Sequence, residues 1–214
     1  MHPFRPLLPL VRVLVAVAAL LACAQAGAAR TVLIFGDSLS AAYGLSADQG
    51  WVSLLGTRMA AAGLDWRLVN ASVSGETTAG GLRRLPEDLK RHQPAMVVIA
   101  LGANDALRGQ PIAGIRDNLE KMIRLARQAR AEPVLVGLMI PPNYGIDYAA
   151  QFHDLYAALA RKHRAALVPF LLEGMADKPE LFQSDQLHPG ADAQPIIVDN
   201  VWKTLEPLLR KRAS

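Results

Sequence analysis

Four short polar fragments stand out in this 214-residue sequence, because their side chains together could perform acyl transfer. Gly36-Asp37-Ser38-Leu39-Ser40 supplies a hydroxyl, and Asn70-Ala71-Ser72-Val73-Ser74-Gly75 ends on a glycine. Gly102-Ala103-Asn104-Asp105 supplies an amide, and Asp185-Gln186-Leu187-His188-Pro189 places a carboxylate ahead of an imidazole. A serine hydroxyl is a poor nucleophile until a base takes its proton. His188 is the candidate base, since an ordinary imidazole titrates near pH ~6.5. The proline after it disfavours helical backbone at His188, so Asp185 can fold back, accept from Nδ1–H and fix the tautomer. The oxyanion of a tetrahedral intermediate needs donors aimed at it. The backbone N–H groups of Ser38 and Gly75 and the side-chain amide of Asn104 are the candidates. Gly75 carries no side chain, which lets its backbone approach a substrate.

Each fragment alone has an ordinary explanation. Ser38 could cap a helix after a strand. Asp37 reads as a turn stabiliser, Asn104-Asp105 as a turn pair and an isolated His188 as a surface or packed histidine. The sequence has no His-Glu-x-x-His pair and no phosphate-binding glycine loop, so neither a metal nor another cofactor is expected. Ser40 breaks the Gly-x-Ser-x-Gly pattern, which argues against an α/β-hydrolase elbow. His92, His153 and His163 receive no catalytic role. The sequon Asn70-Ala71-Ser72 is discounted as a short chance match.

The elements that must bring these fragments together are legible in the hydrophobic pattern. Short apolar runs at Thr31–Phe35, Leu68-Val69, Met96–Leu101, Val134–Ile140 and Leu167–Leu172 read as strands. Between them lie helical faces: Trp51, Leu54, Leu55 and Met59; Leu82, Leu85 and Leu89; Leu119, Met122, Ile123 and Ala126; Phe152, Leu155, Tyr156 and Leu159. Ile197, Val201, Leu205 and Leu208 mark a last helix, whose final turn Pro207 should disturb. Pro169 favours an edge position or a bulge for the fifth strand. Strands alternating with helices imply an α/β fold, a parallel sheet covered on both faces. In such sheets ligands bind beyond the carboxyl ends of the strands. Residues just after Phe35, Val69, Leu101, Ile140 and Leu172 are therefore expected on one rim. Leu107, Met139, Ile140, Pro141, Tyr144 and Ile146 lie on or near it and could hold an acyl chain, though Met139 and Ile140 read equally as core. Pro142–Gly145 reads as a flap hinged at Gly145.

The first residues carry Arg5 and Arg12 and no acid, Val13–Ala24 is an unbroken apolar run, and Ala24-Gln25-Ala26 offers a small-x-small cleavage site. This pattern is a secretory signal peptide at residues 1–26, followed by one domain at 27–214. The apolar run is short of the ~20 residues a membrane-spanning helix needs, so no stable membrane insertion is expected after cleavage. The expected location is the periplasm or the exterior; a lipoprotein anchored at Cys23, the only cysteine, is the alternative. The net charge of +4 falls by two once Arg5 and Arg12 are removed, and no basic stripe interleaved with aromatics exists, so no nucleic-acid partner is expected. The terminal Arg210-Lys211-Arg212 reads as a solvated helix end. A hydrophobic fraction of 51% lets a domain of this size fold on its core alone, and a monomer is expected.

The four fragments resemble the SGNH (GDSL) hydrolases, whose named positions match Ser38, Gly75, Asn104 and His188, and the likeness runs from Thr31 to about Leu209. It is most similar to the periplasmic acyl-CoA thioesterase, lysophospholipase and arylesterase group, through Gly36–Ala41, Asn104–Gly109, Pro142–Gly145 and Asp192–Pro195. The resemblance implies a three-layer α/β/α, flavodoxin-like fold with a five-stranded parallel sheet. It implies a triad of Ser38, Asp185 and His188, and an oxyanion hole of Ser38, Gly75 and Asn104. It also implies hydrolysis of acyl esters and thioesters. Ala103 departs from the glycine that similar members often carry. A carbohydrate acetylesterase and a non-catalytic exported lipid-binding protein remain the competing functions.

Overall fold

Strands covered on both faces must be apolar throughout rather than on alternate residues. The strand β1 (Arg30–Gly36) obeys this: every residue after Arg30 is buried. In this computed structural model, which describes residues 30–213, the elements then follow as α1 (Trp51–Ala61), β2 (Trp66–Asn70), α2 (Thr78–His92), β3 (Met96–Ala100) and a short α3 (Ala103–Leu107). Next come α4 (Ile112–Gln128), β4 (Glu132–Val136), α5 (Ile146–His163), β5 (Ala166–Val168) and α6 (Gln194–Ala213). The expected signal sequence and Cys23 lie outside the described residues.

All five strands are parallel, in the order β2-β1-β3-β4-β5. Val32 in β1 pairs with Leu68 on one side and Met96 on the other. Helix α1 packs against α6, while α2 packs on α4 and α4 on α5, which completes the three layers. Successive strands step to opposite sides of β1, so the loops after β1 and β3 diverge between those two strands. That divergence opens a crevice at the carboxyl rim. Ser38 and Asn104 follow these two strands.

Several element ends differ from the sequence reading. The fourth strand stops at Val136, not Ile140, and the fifth spans Ala166–Val168 rather than Leu167–Leu172. Gly137 is the reason. Its N–H donates to Val168 O (2.8 Å), its carbonyl accepts from Leu171 N (2.9 Å), and a Cβ there would lie 2.0 Å from Pro169 O. The two backbones close on each other at this point and leave the ladder.

Pro207 does not end the last helix, which continues to Ala213. Leu205 and Leu209, both fully buried, anchor it on either side of the proline, and this packing outweighs one missing backbone bond. Nor is the terminal basic run simply solvated. Arg212 pairs with Glu132 (2.8 Å) and donates to Ala95 O (3.3 Å), tying α6 to the amino rim of the sheet.

Candidate active site

The chain leaves β1 in a run of turns, not a helix. Ser40 and Ala41 donate backbone N–H to Asp37 O (3.1 and 2.9 Å), and Leu39 N–H donates to Asp37 Oδ1 (3.0 Å). Asp37 thus holds the turn, as its sequence context suggested. Ser38 caps no helix; its Oγ lies 2.9 Å from His188 Nε2.

His188 comes from the opposite end of the sequence. Its loop is closed by an antiparallel bridge between Phe182 and Pro189. Inside that loop Asp185 folds back as expected: Oδ2 is 2.7 Å from His188 Nδ1, and Oδ1 accepts the backbone N–H groups of Leu187 and His188, each at 3.0 Å. The His188 N–H, the imidazole and the Leu187 N–H hold the Asp185 carboxyl down at about 2, although it is partly exposed. It is therefore ionised throughout the neutral range.

The candidate oxyanion donors converge on the same place. The N–H groups of Ser38 and Gly75 meet no backbone acceptor among the described residues. Gly75 has φ +78, and a Cβ on it would meet nothing within 4 Å. The glycine is thus required by its left-handed backbone rather than by a crowded neighbour. Asn104 lies in α3, a short helix the sequence reading did not foresee. Asp105 fixes that helix by accepting from Thr78 N (2.7 Å) and Oγ1 (2.6 Å) at the start of α2. Ala103 is not among the residues with positive φ, so alanine fits there without backbone strain.

Asn104 carries a feature the sequence did not disclose. Its Nδ2 donates to Asp37 Oδ2 (3.2 Å) and to Glu76 O (3.0 Å), so both amide hydrogens already have acceptors. An oxyanion must take over one of these bonds. Asp37 is only 1% exposed, and burial raises its carboxyl from 3.8 to about 6; the Leu39 N–H, the His188 charge and the Asn104 amide oppose that rise. Glu76 is itself held by Arg84, which also donates to Ala71 O (2.8 Å) and lies over the Phe35 ring. Asn70 donates to Ser40 O (2.7 Å), joining the loops after β1 and β2.

Ser38, Gly75, Asn104 and His188 line a cavity of about 250 Å³. Leu107, Met139, Ile140 and Pro141 are in its wall. Tyr144 and Ile146 are not: both are exposed, Ile146 to 78%. The expected flap at Pro142–Gly145 is a 3-10 turn over Pro142–Tyr144 that runs straight into α5. Met139 and Ile140 divide between the two readings offered for them, with Met139 half exposed and Ile140 buried. Leu39, Tyr43, Leu172 and Leu187 also line the cavity and were missed. They sit in turns and loops, where hydrophobic periodicity carries no signal. Among the described residues, no cluster of three or more His, Cys, Asp or Glu side chains is placed to hold a metal ion.

A flavodoxin-like sheet with a serine, an imidazole and a carboxylate in hydrogen-bonded series at its carboxyl rim defines the class of serine hydrolases without a nucleophile elbow. The GDSL-like lipase/acylhydrolase family matches residues 34–194, and the chain belongs to that family. It is 50% identical over 191 residues to esterase TesA of Pseudomonas aeruginosa, covering 89% of this chain and 95% of the relative. It is 42% identical over 189 residues to thioesterase 1/protease 1/lysophospholipase L1 of Escherichia coli K12, covering 86% and 88%. Its structure is similar to the crystal structure of the psychrotrophic esterase EstA from Pseudoalteromonas sp. inhibited by monoethylphosphonate. The TM-score is 0.81 and the identity 41%, over 85% of this chain and 99% of that one.

Proposed function

We propose that this chain hydrolyses acyl esters and thioesters through an acyl-enzyme on Ser38. One observation carries the assignment: Asp185, His188 and Ser38 form an unbroken hydrogen-bonded series, at 2.7 and 2.9 Å, that opens into the cavity. Ser38 Oγ attacks the acyl carbon while His188 Nε2 takes its proton. Asp185 holds the ring and offsets the charge it acquires. The oxyanion accepts from Ser38 N–H, Gly75 N–H and Asn104 Nδ2. Nε2 then passes its proton to the leaving alcohol or thiol as the carbon–oxygen or carbon–sulfur bond breaks. Water attacks the acyl-serine by the same route and restores the hydroxyl.

Esters and thioesters share this tetrahedral path, so the triad serves both. The apolar wall of Leu107, Ile140, Pro141 and Leu172 suits a hydrocarbon acyl group. The names of the relatives, an esterase and a thioesterase/lysophospholipase, support the same substrate classes. The composition of residues 1–26 supports export, which separates the enzyme from cytosolic acyl-CoA and favours ester and lysophospholipid substrates. Among the described residues, no helix is long and apolar enough to cross a membrane.

Ser38→Ala is expected to abolish both hydrolysis of a short aryl ester and labelling by a serine-directed phosphonate. Retention of either by the purified variant overturns the assignment.

A further inference from the structure

We infer that Tyr43 is a positioning residue for the base: its ring lies on the face of the His188 imidazole, holds it in line with Ser38, and stabilises the imidazolium that forms during acyl transfer. The inference rests on the reaction proposed above. The two ring centroids are 4.4 Å apart with the planes inclined by 36°. The other contacts on the imidazole are at its edge, Nδ1 to Asp185 and Nε2 to Ser38. Two edge bonds fix the ends of the ring but leave it free to tip about the line joining them. A contact on the face removes that freedom. The same aromatic face presents negative potential to a cation formed beneath it.

The ring is placed by a built arrangement. Ala42, just before it, has φ +56, a strained conformation for a residue with a Cβ. The Tyr43 carbonyl accepts from Gln183 Nε2 (2.8 Å), and the same nitrogen donates to Pro189 O (3.2 Å). Gln183 N–H donates to His188 O (2.7 Å). Gln183 therefore joins the loop of the nucleophile to the loop of the base. Gly44 makes room for it, since a Cβ there would lie 2.1 Å from Gln183 Oε1. The Tyr43 side is half exposed, at 50%, so burial in the core does not account for this arrangement.

The ring also lines the cavity, so a role in acyl binding is the rival reading. Tyr43→Leu, which keeps apolar bulk and loses the ring face, separates them. It is expected to lower kcat by about two- to fivefold with KM unchanged. The factor should be the same for acetyl and octanoyl aryl esters and for the rate of phosphonate inactivation. Tyr43→Phe, which keeps the face, should recover the rate to within about twofold of the parent. An unaltered kcat in Tyr43→Leu overturns the inference. So does a loss confined to KM or to the longer acyl chain, or a Tyr43→Phe variant as slow as Tyr43→Leu. A thermal melt of each variant, set beside the parent's, identifies any loss due to misfolding, which the half-exposed position does not predict. Ser38→Ala assayed in parallel keeps the two readings apart: activity surviving there removes the acyl-enzyme, whatever Tyr43 does.

Discussion

Replacing Asp37 by asparagine should make the protein more stable at alkaline pH relative to the parent than at acid pH. The carboxyl is 1% exposed and titrates at about 6 in the fold against 3.8 in an unfolded chain. A group raised in this way contributes stability that is fully present below 3.8 and is lost as pH rises through about 6. At ~1.4 kcal/mol per unit, the full difference is about 3 kcal/mol, of which about 2 is spanned between pH 8 and pH 4. Asparagine has no such titration. It loses an acceptor for the Leu39 N–H or the Asn104 amide, but that loss is similar at every pH. Asp185 and Glu120 are both held down at about 2, but parent and variant share them, so their contribution cancels in the difference. Urea unfolding of parent and Asp37→Asn at half-unit steps from pH 4 to 8 gives the difference directly. A gap between the two that stays constant across the series refutes the burial argument.

Asn104→Ala should lower kcat by about 10²–10³-fold on aryl esters if its amide is one of the three proposed oxyanion donors. A fall in KM-based binding alone, with kcat kept, would remove it from that role. Gly137→Ala should cost about 1–3 kcal/mol or more in urea unfolding, because its Cβ would lie 2.0 Å from the Pro169 carbonyl. An unchanged midpoint would show that this contact can yield.

The layout of the sheet was readable because parallel strands covered on both faces are apolar at every position. Val32–Phe35 and Met96–Leu101 meet that requirement and are buried almost completely. The chemistry was readable because Ser38 and Asn104 fall just beyond β1 and β3, and because Asp185 stands three residues ahead of His188 and its proline. What escaped depends on contacts remote in sequence. The ends of β4 and β5 are set by Gly137 meeting Pro169, and no periodicity encodes that approach. The α3 helix exists because Asp105 finds Thr78, and Pro207 is tolerated because Leu205 and Leu209 pack on either side of it. Tyr43 escaped for the same reason: its partner lies at position 188.

Ser38 follows the first strand, whereas His188 stands shortly before the final helix. Nearly the whole domain, up to residue 188, must be made before hydroxyl and imidazole can meet. A nascent chain, or one clipped ahead of residue 183, carries the serine without anything to deprotonate it. The order of elements along the polypeptide therefore acts as a safeguard: hydrolytic capacity appears only in the finished molecule.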